Sequence, residues 1–150
     1  MKFLARALAG SALLAAAPAA ANQPVVTDIH WPHIDSYCTF WRKDHGFNFN
    51  DPESWRFVFF TQKDSLHEPY PETGFIALGH QLRQLELVSA TKVETGEERR
   101  YRSLGASQHD VVVTMTAGEA GTESTGYTGT IAVAGPYGSE TVAFQGDCGV

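Results

Sequence analysis

The sequence predicts an all-β domain, an antiparallel meander of about seven to eight strands forming a small barrel or sandwich, preceded by a signal peptide. Three observations predict it. Short runs rich in Val, Ile, Thr, Tyr and Phe alternate with Gly, Pro, Asn and Asp from residue 37 to the end. No internal repeat or coiled-coil heptad is visible along the chain. Two cysteines, Cys38 and Cys148, lie in the first and last strand candidates.

The chain opens with Lys2 and Arg6, an apolar run from Ala7 to Ala17, and Ala19-Ala20-Ala21 ahead of Asn22. This is the charged region, hydrophobic region and small-residue cleavage site of an export signal, here residues 1–21. The run is shorter than the roughly 20 residues that cross a bilayer, so no membrane span is expected. No cysteine follows the site to take a lipid anchor. The expected location is periplasmic or secreted. Removing the signal also removes Lys2 and Arg6, leaving 9 basic against 17 acidic residues, a balance of −8. Nucleic acid, which is held by cations on phosphates, is thereby excluded as a partner, and a basic protein is the expected charged one.

Residues 22–35 lack periodicity and are rich in Pro, Asp and His, so they read as an extended N-terminal arm before a single β domain over 36–150. The first strand candidate is Tyr37 to Trp41, with Cys38 and Phe40 on one face. After an Asn- and Asp-rich loop, Trp55 to Thr61 is apolar on both faces, as a strand covered on each side would be. Phe75–Leu78 and Leu82–Val93 follow, broken near Gly79 by a bulge or bend. A turn at Thr95-Gly96 leads to Glu98–Leu104. Val111, Val113 and Met115 then alternate with Val112, Thr114 and Thr116, the cleanest period of two in the chain. Tyr127–Ala134 and a strand bearing Val142 and Phe144 are joined by the turn Gly135-Pro136-Tyr137-Gly138. Cys148 falls on the face of Val142 and Phe144, so a Cys38–Cys148 disulfide would join the first strand to the last. On the chain-entropy model a loop of that length contributes about 4 to 5 kcal/mol.

Candidate sites are few. The arm carries His30-Trp31-Pro32-His33, and His30 and His33 are candidate metal ligands, although a third ligand would have to come from elsewhere in the fold. Residues 44–51 place oxygen side chains alternately, as a calcium loop does, but lack its glycine and closing glutamate, so a turn is the better reading. Among the ten aromatics of the first third, Trp31, Trp41 and Phe47 adjoin loops and are the candidate partner-binding residues. Arg99, Arg100 and Arg102 form a candidate anion-binding cluster, against the plainer reading that they pair with Glu97 and Glu98 or blunt an edge strand. No GxSxG, HExxH or SxxK motif occurs, no catalytic residue stands out and no cofactor is expected. Facing carboxylates drawn from Glu68, Glu72, Glu119 and Glu123 would be the route to hydrolase chemistry.

From Phe75 onward, and most firmly at the terminal Gly146-Asp147-Cys148-Gly149, the chain resembles small secreted bacterial β-proteins, a group mostly without assigned roles. In scale and plan, an exported disulfide-tied barrel, it is also similar to the C-type lysozyme inhibitors. That likeness is architectural and carries over no site residue. The function expected is a non-catalytic exported binding module, an inhibitor or envelope-associated accessory. The alternatives are a carrier using the barrel interior and a carboxylate hydrolase.

Overall fold

The computed structural model describes residues 24–32, 34–64, 66–69 and 71–149. The expected signal peptide and His33 lie outside the described residues. Within them the chain is all-β, with one short 3₁₀ turn at Pro52–Ser54 and no α-helix. No described helix is long and apolar enough to cross a membrane.

The strands are β1 (Val26–Thr27), β2 (Ile29–His30), β3 (Cys38–Arg42), β4 (Arg56–Phe57), β5 (Phe59–Lys63), β6 (Glu72–Leu78), β7 (Gln81–Val93), β8 (Gly96–Ser103), β9 (Asp110–Ala120), β10 (Ser124–Gly135) and β11 (Gly138–Gly149). From β5 to β11 consecutive strands pair as hairpins, except that β3 and β11 meet across the whole chain. The pairing order runs β6, β5, β3, β11, β10, β9, β8, β7 and returns to β6, so eight antiparallel strands close a barrel. Strand β1 adds to β6 through Val26↔Leu78, and β2 pairs with β4 as a separate ribbon. The choice left open between barrel and sandwich is thus settled by the β6–β7 and β3–β11 pairings.

Alternation decides what fills the barrel. Val111, Val113 and Met115 of β9, Ile131 and Val133 of β10, and Val142, Phe144 and Cys148 of β11 are all buried in one core. Phe40 stacks on Phe144, with centroids 4.2 Å apart, and on Phe59 at 5.9 Å; Tyr101 meets Phe59 edge-on at 5.3 Å. An eight-stranded barrel has an interior just wide enough for such side chains. Cys38 and Cys148 stand directly opposite in the β3–β11 ladder and are bonded, so the disulfide pins the closing seam. Beside it Gly146 lets β11 approach β3: an added Cβ would collide with the Thr39 carbonyl and lie 2.9 Å from Phe40 Cα.

Three local readings are refined. The Trp55–Thr61 run is two strands, because β4 pairs with β2 while β5 pairs with β3, with Val58 N–H bonding Phe40 O between them at 2.9 Å. The break at Gly79 is a hairpin turn in which Gly79 and His80 both have positive φ, 55° and 65°, as the twist of a two-residue hairpin favours. Residues of the N-terminal arm are strand-paired: Val25 and Val26 enter the barrel core, and Val26 N–H donates to a Glu140 carboxylate oxygen at 2.7 Å.

Candidate functional site

A second apolar cluster lies outside the barrel, against β3, β5 and β6. Ile29, Phe57, Phe60 and Ala77 form its buried part, with Ile34, Trp41, Phe47, Trp55 and Phe75 packed around them. It exists because β4 and β5 carry large aromatics on both faces: Phe59 points into the barrel, while Phe57 and Phe60 point out and must be covered. The β2–β4 ribbon and the loop from Asp44 to Ser54 do the covering.

That loop is built on itself. Ser54 Oγ accepts the Asn48 N–H at 2.9 Å and donates toward the carbonyls of Asp51 at 2.7 Å and Asn48 at 2.9 Å. Asp51 caps the 3₁₀ turn by accepting the Glu53 N–H at 3.2 Å, His45 Nε2 donates to Ser54 O at 2.6 Å, and Trp55 Nε1 donates to Asn48 O at 3.3 Å. The Asp51 bond, and that of Asn48 Oδ1 accepting the Asn50 N–H at 3.0 Å, are turn bonds of the Asx kind, which is how these two oxygen side chains are used. On the frame sits a row of rings. Trp41 stacks on Phe47 at 4.3 Å, Phe47 meets Trp55 at 6.0 Å, and Trp55 meets Phe49 at 5.4 Å.

Of the three residues proposed from sequence, Trp41 and Phe47 are brought face to face and half-buried, and the Trp41 indole N–H has no partner among the described residues. Trp31 stands further along the same wall, edge-on to Phe60 at 5.8 Å and 44% exposed. A strongly exposed ring is one the sequence reading passed over: Phe49 is 73% exposed at the end of the row. Phe47 and Phe49 share a parity, and only the curl of the loop separates a covered ring from an open one. Around Phe49 the loop holds Asp44, Asp51 and Glu53, with no Lys or Arg from 44 to 54.

The three arginines diverge. Strand β8 lies between β7 and β9, so it is not an edge. Arg100 and Arg102 point outward and pair with Glu98 at 2.7 Å and Asp110 at 3.0 Å. Arg99 turns into the end of the barrel, where Nη1 donates to both Glu72 oxygens, at 2.9 and 3.1 Å, and Nε donates to Glu97 at 2.7 Å. Burial alone would lower the Arg99 pKa, but the Glu97 bond and the Glu72 charge outweigh it and raise it. Next to it Tyr101, 2% exposed, sets its hydroxyl beside the Arg99 guanidinium; burial, and then the Glu72 charge, push its pKa up to about 12. Every one of these guanidinium groups already holds a carboxylate.

The remaining candidates are dispersed. His30 is exposed with Nε2 3.4 Å from Pro52 O, and the described His, Cys, Asp and Glu residues form no group of three able to hold a metal. Glu72 faces Arg99, whereas Glu119 and Glu123 are exposed around the β9–β10 turn. No protein-family model, no curated protein and no solved structure matches the chain.

Proposed function

We propose that this chain is an exported, non-catalytic binding module that holds a basic protein through the acidic aromatic loop at Asp44–Trp55, with Trp31 at its margin. The observation that carries this reading is Phe49, 73% exposed on a row of stacked rings, in a loop that bears three carboxylates and no cation. A large ring held on a rigid frame loses little entropy when it enters a partner's pocket, which is what makes aromatic anchors dominate interfaces. The surrounding carboxylates steer a basic partner and repel acidic ones. Export is supported by the disulfide, which forms and persists outside the reducing cytoplasm. The carrier alternative finds little support, because the interior is occupied by Phe40, Phe59, Tyr101 and Phe144.

A C-type lysozyme is the probe we would use, since it is basic and the plan of this chain resembles that of its inhibitors. The expected result is co-elution with the lysozyme and slowing of its activity, weakened about tenfold or more by Phe49→Ala and less by Asp51→Asn, with no retention of the equally basic cytochrome c. Full lysozyme activity at a large excess of the chain, or unchanged binding by Phe49→Ala, removes the reading.

A further inference from the structure

The wall that carries the aromatic cluster also holds an open groove of about 1010 Å³, between the outer faces of β5, β6 and β7 and the segments leading into β3 and out of β5. Its floor includes Phe75 and Tyr37, and its sides present Gln62, Gln84, Thr73 and Asp35. Phe75 has one face covered by Phe60, with centroids 4.8 Å apart, and is otherwise only half-buried. Among the described residues the carboxylate of Asp35 and the amide of Gln84 have no hydrogen-bond partner, while the Gln62 amide donates weakly to the Asp35 carbonyl at 3.4 Å.

The chemistry of this lining sorts possible ligands. An apolar ligand calls for a mostly hydrophobic enclosure, and this groove is open and rimmed by amides, hydroxyls and carboxylates. A phosphorylated or other anionic ligand calls for free cations, and among the described residues of the lining the one cation, Lys63, lies over the Tyr37 ring at 4.6 Å. Asp64, at the rim, is consumed locally by the N–H groups of Leu66 and His67 and by the His67 ring. What is left is an aromatic floor for an apolar C–H face and free acceptors and amides for a ring of hydroxyls. We infer that this groove is a binding site for a neutral oligosaccharide chain, with a sugar ring stacked on Phe75 and its hydroxyls bonded to Asp35, Gln62 and Gln84. The site is distinct from the Phe49 loop and does not depend on the partner proposed there.

Cellohexaose and chitohexaose, titrated separately into the disulfide-bonded chain and followed by amide chemical shifts, are suitable probes. At least one should bind with a dissociation constant below about 1 mM, with shifts concentrated on β5, β6 and β7. Asp35→Ala and Gln84→Ala, both at exposed positions, should each weaken binding about fivefold or more without lowering the thermal midpoint, and Phe49→Ala should leave it unchanged. Absence of shifts with either sugar at about 10 mM, or binding that survives both groove substitutions, overturns the inference.

Discussion

At the scale of single residues, Asp147 shows how position in the sheet sets a charge's energy. It sits on the outer face of β11, opposite Thr39 of β3 and Gly126 of β10, half-buried. Burial raises its carboxyl above the ordinary value of 3.8, and no compensating donor is present among the described residues. A carboxyl whose folded pKa is raised opposes folding once ionised: stability is fully present below the unfolded value and is lost as pH rises through the folded one. Asp147→Asn should therefore stabilise the protein at neutral pH, by less than about 1 kcal/mol after discounting for solvent. The gain should fade as the pH falls through the raised folded pKa and be gone once it reaches the ordinary value of 3.8. Urea midpoints of the two proteins across that range check this, and equal midpoints at neutral pH contradict it.

At the scale of elements, β8 is governed by the period of two. Successive arginines land on opposite walls, so Arg99 enters the barrel while Arg100 and Arg102 face water. The inward arginine is tolerable only because Glu72 of β6 and Glu97 supply charge and bonds where solvent is scarce. Removing one partner is then worse than never having had the pair. Glu72→Gln should destabilise the fold by about 1 to 3 kcal/mol, with Glu97 holding the loss to that range. The same change should bring the Tyr101 pKa down from about 12, since the Glu72 charge contributes to its rise. An alkaline spectrophotometric titration of the variant reads this shift, and an unmoved Tyr101 would show that burial alone holds it up. The sign for stability follows: a tyrosine raised in the folded state supports folding below pH 10, its ordinary value, and this support disappears toward pH 12.

At the scale of the whole molecule, the barrel depends on one seam between segments 110 residues apart. The β3–β11 ladder has five register pairs, from Phe144↔Arg42 to Cys148↔Cys38, and the disulfide closes its last. Replacing both cysteines, Cys38→Ala with Cys148→Ala, should cost about 3 to 5 kcal/mol, chiefly by freeing the unfolded chain. The sheet spectrum should persist, because the ladder and the stacked interior rings remain. A variant with an unchanged urea midpoint would mean that the bond adds nothing to the seam.

Parts of this architecture were legible in the residues. The alternation of Val111, Val113 and Met115 marks one face of a strand, and the shared parity of Cys148 with Phe144 and of Cys38 with Phe40 sends both sulfurs inward. The tight hairpin at Gly135–Gly138 reads from its own turn chemistry. These are short-range consequences of pleating and backbone sterics. The aromatic wall was only half legible: the crowding of rings announced a second apolar surface, but not that Phe47 is covered while Phe49 is open.

The sequence by itself determined the class of fold, the faces of the strands and the pairing of its two cysteines, because each follows from a period of two and from there being only two thiols to join. Tertiary structure alone decided that the sheet closes through β6 and β7, that Glu72 meets Arg99 across 27 residues, and that the loop after β3 curls over Trp41. These depend on which strands neighbour one another after twisting into a barrel, and neighbourhood across a sheet is set by the balance of all pairings at once rather than by any segment's own pattern.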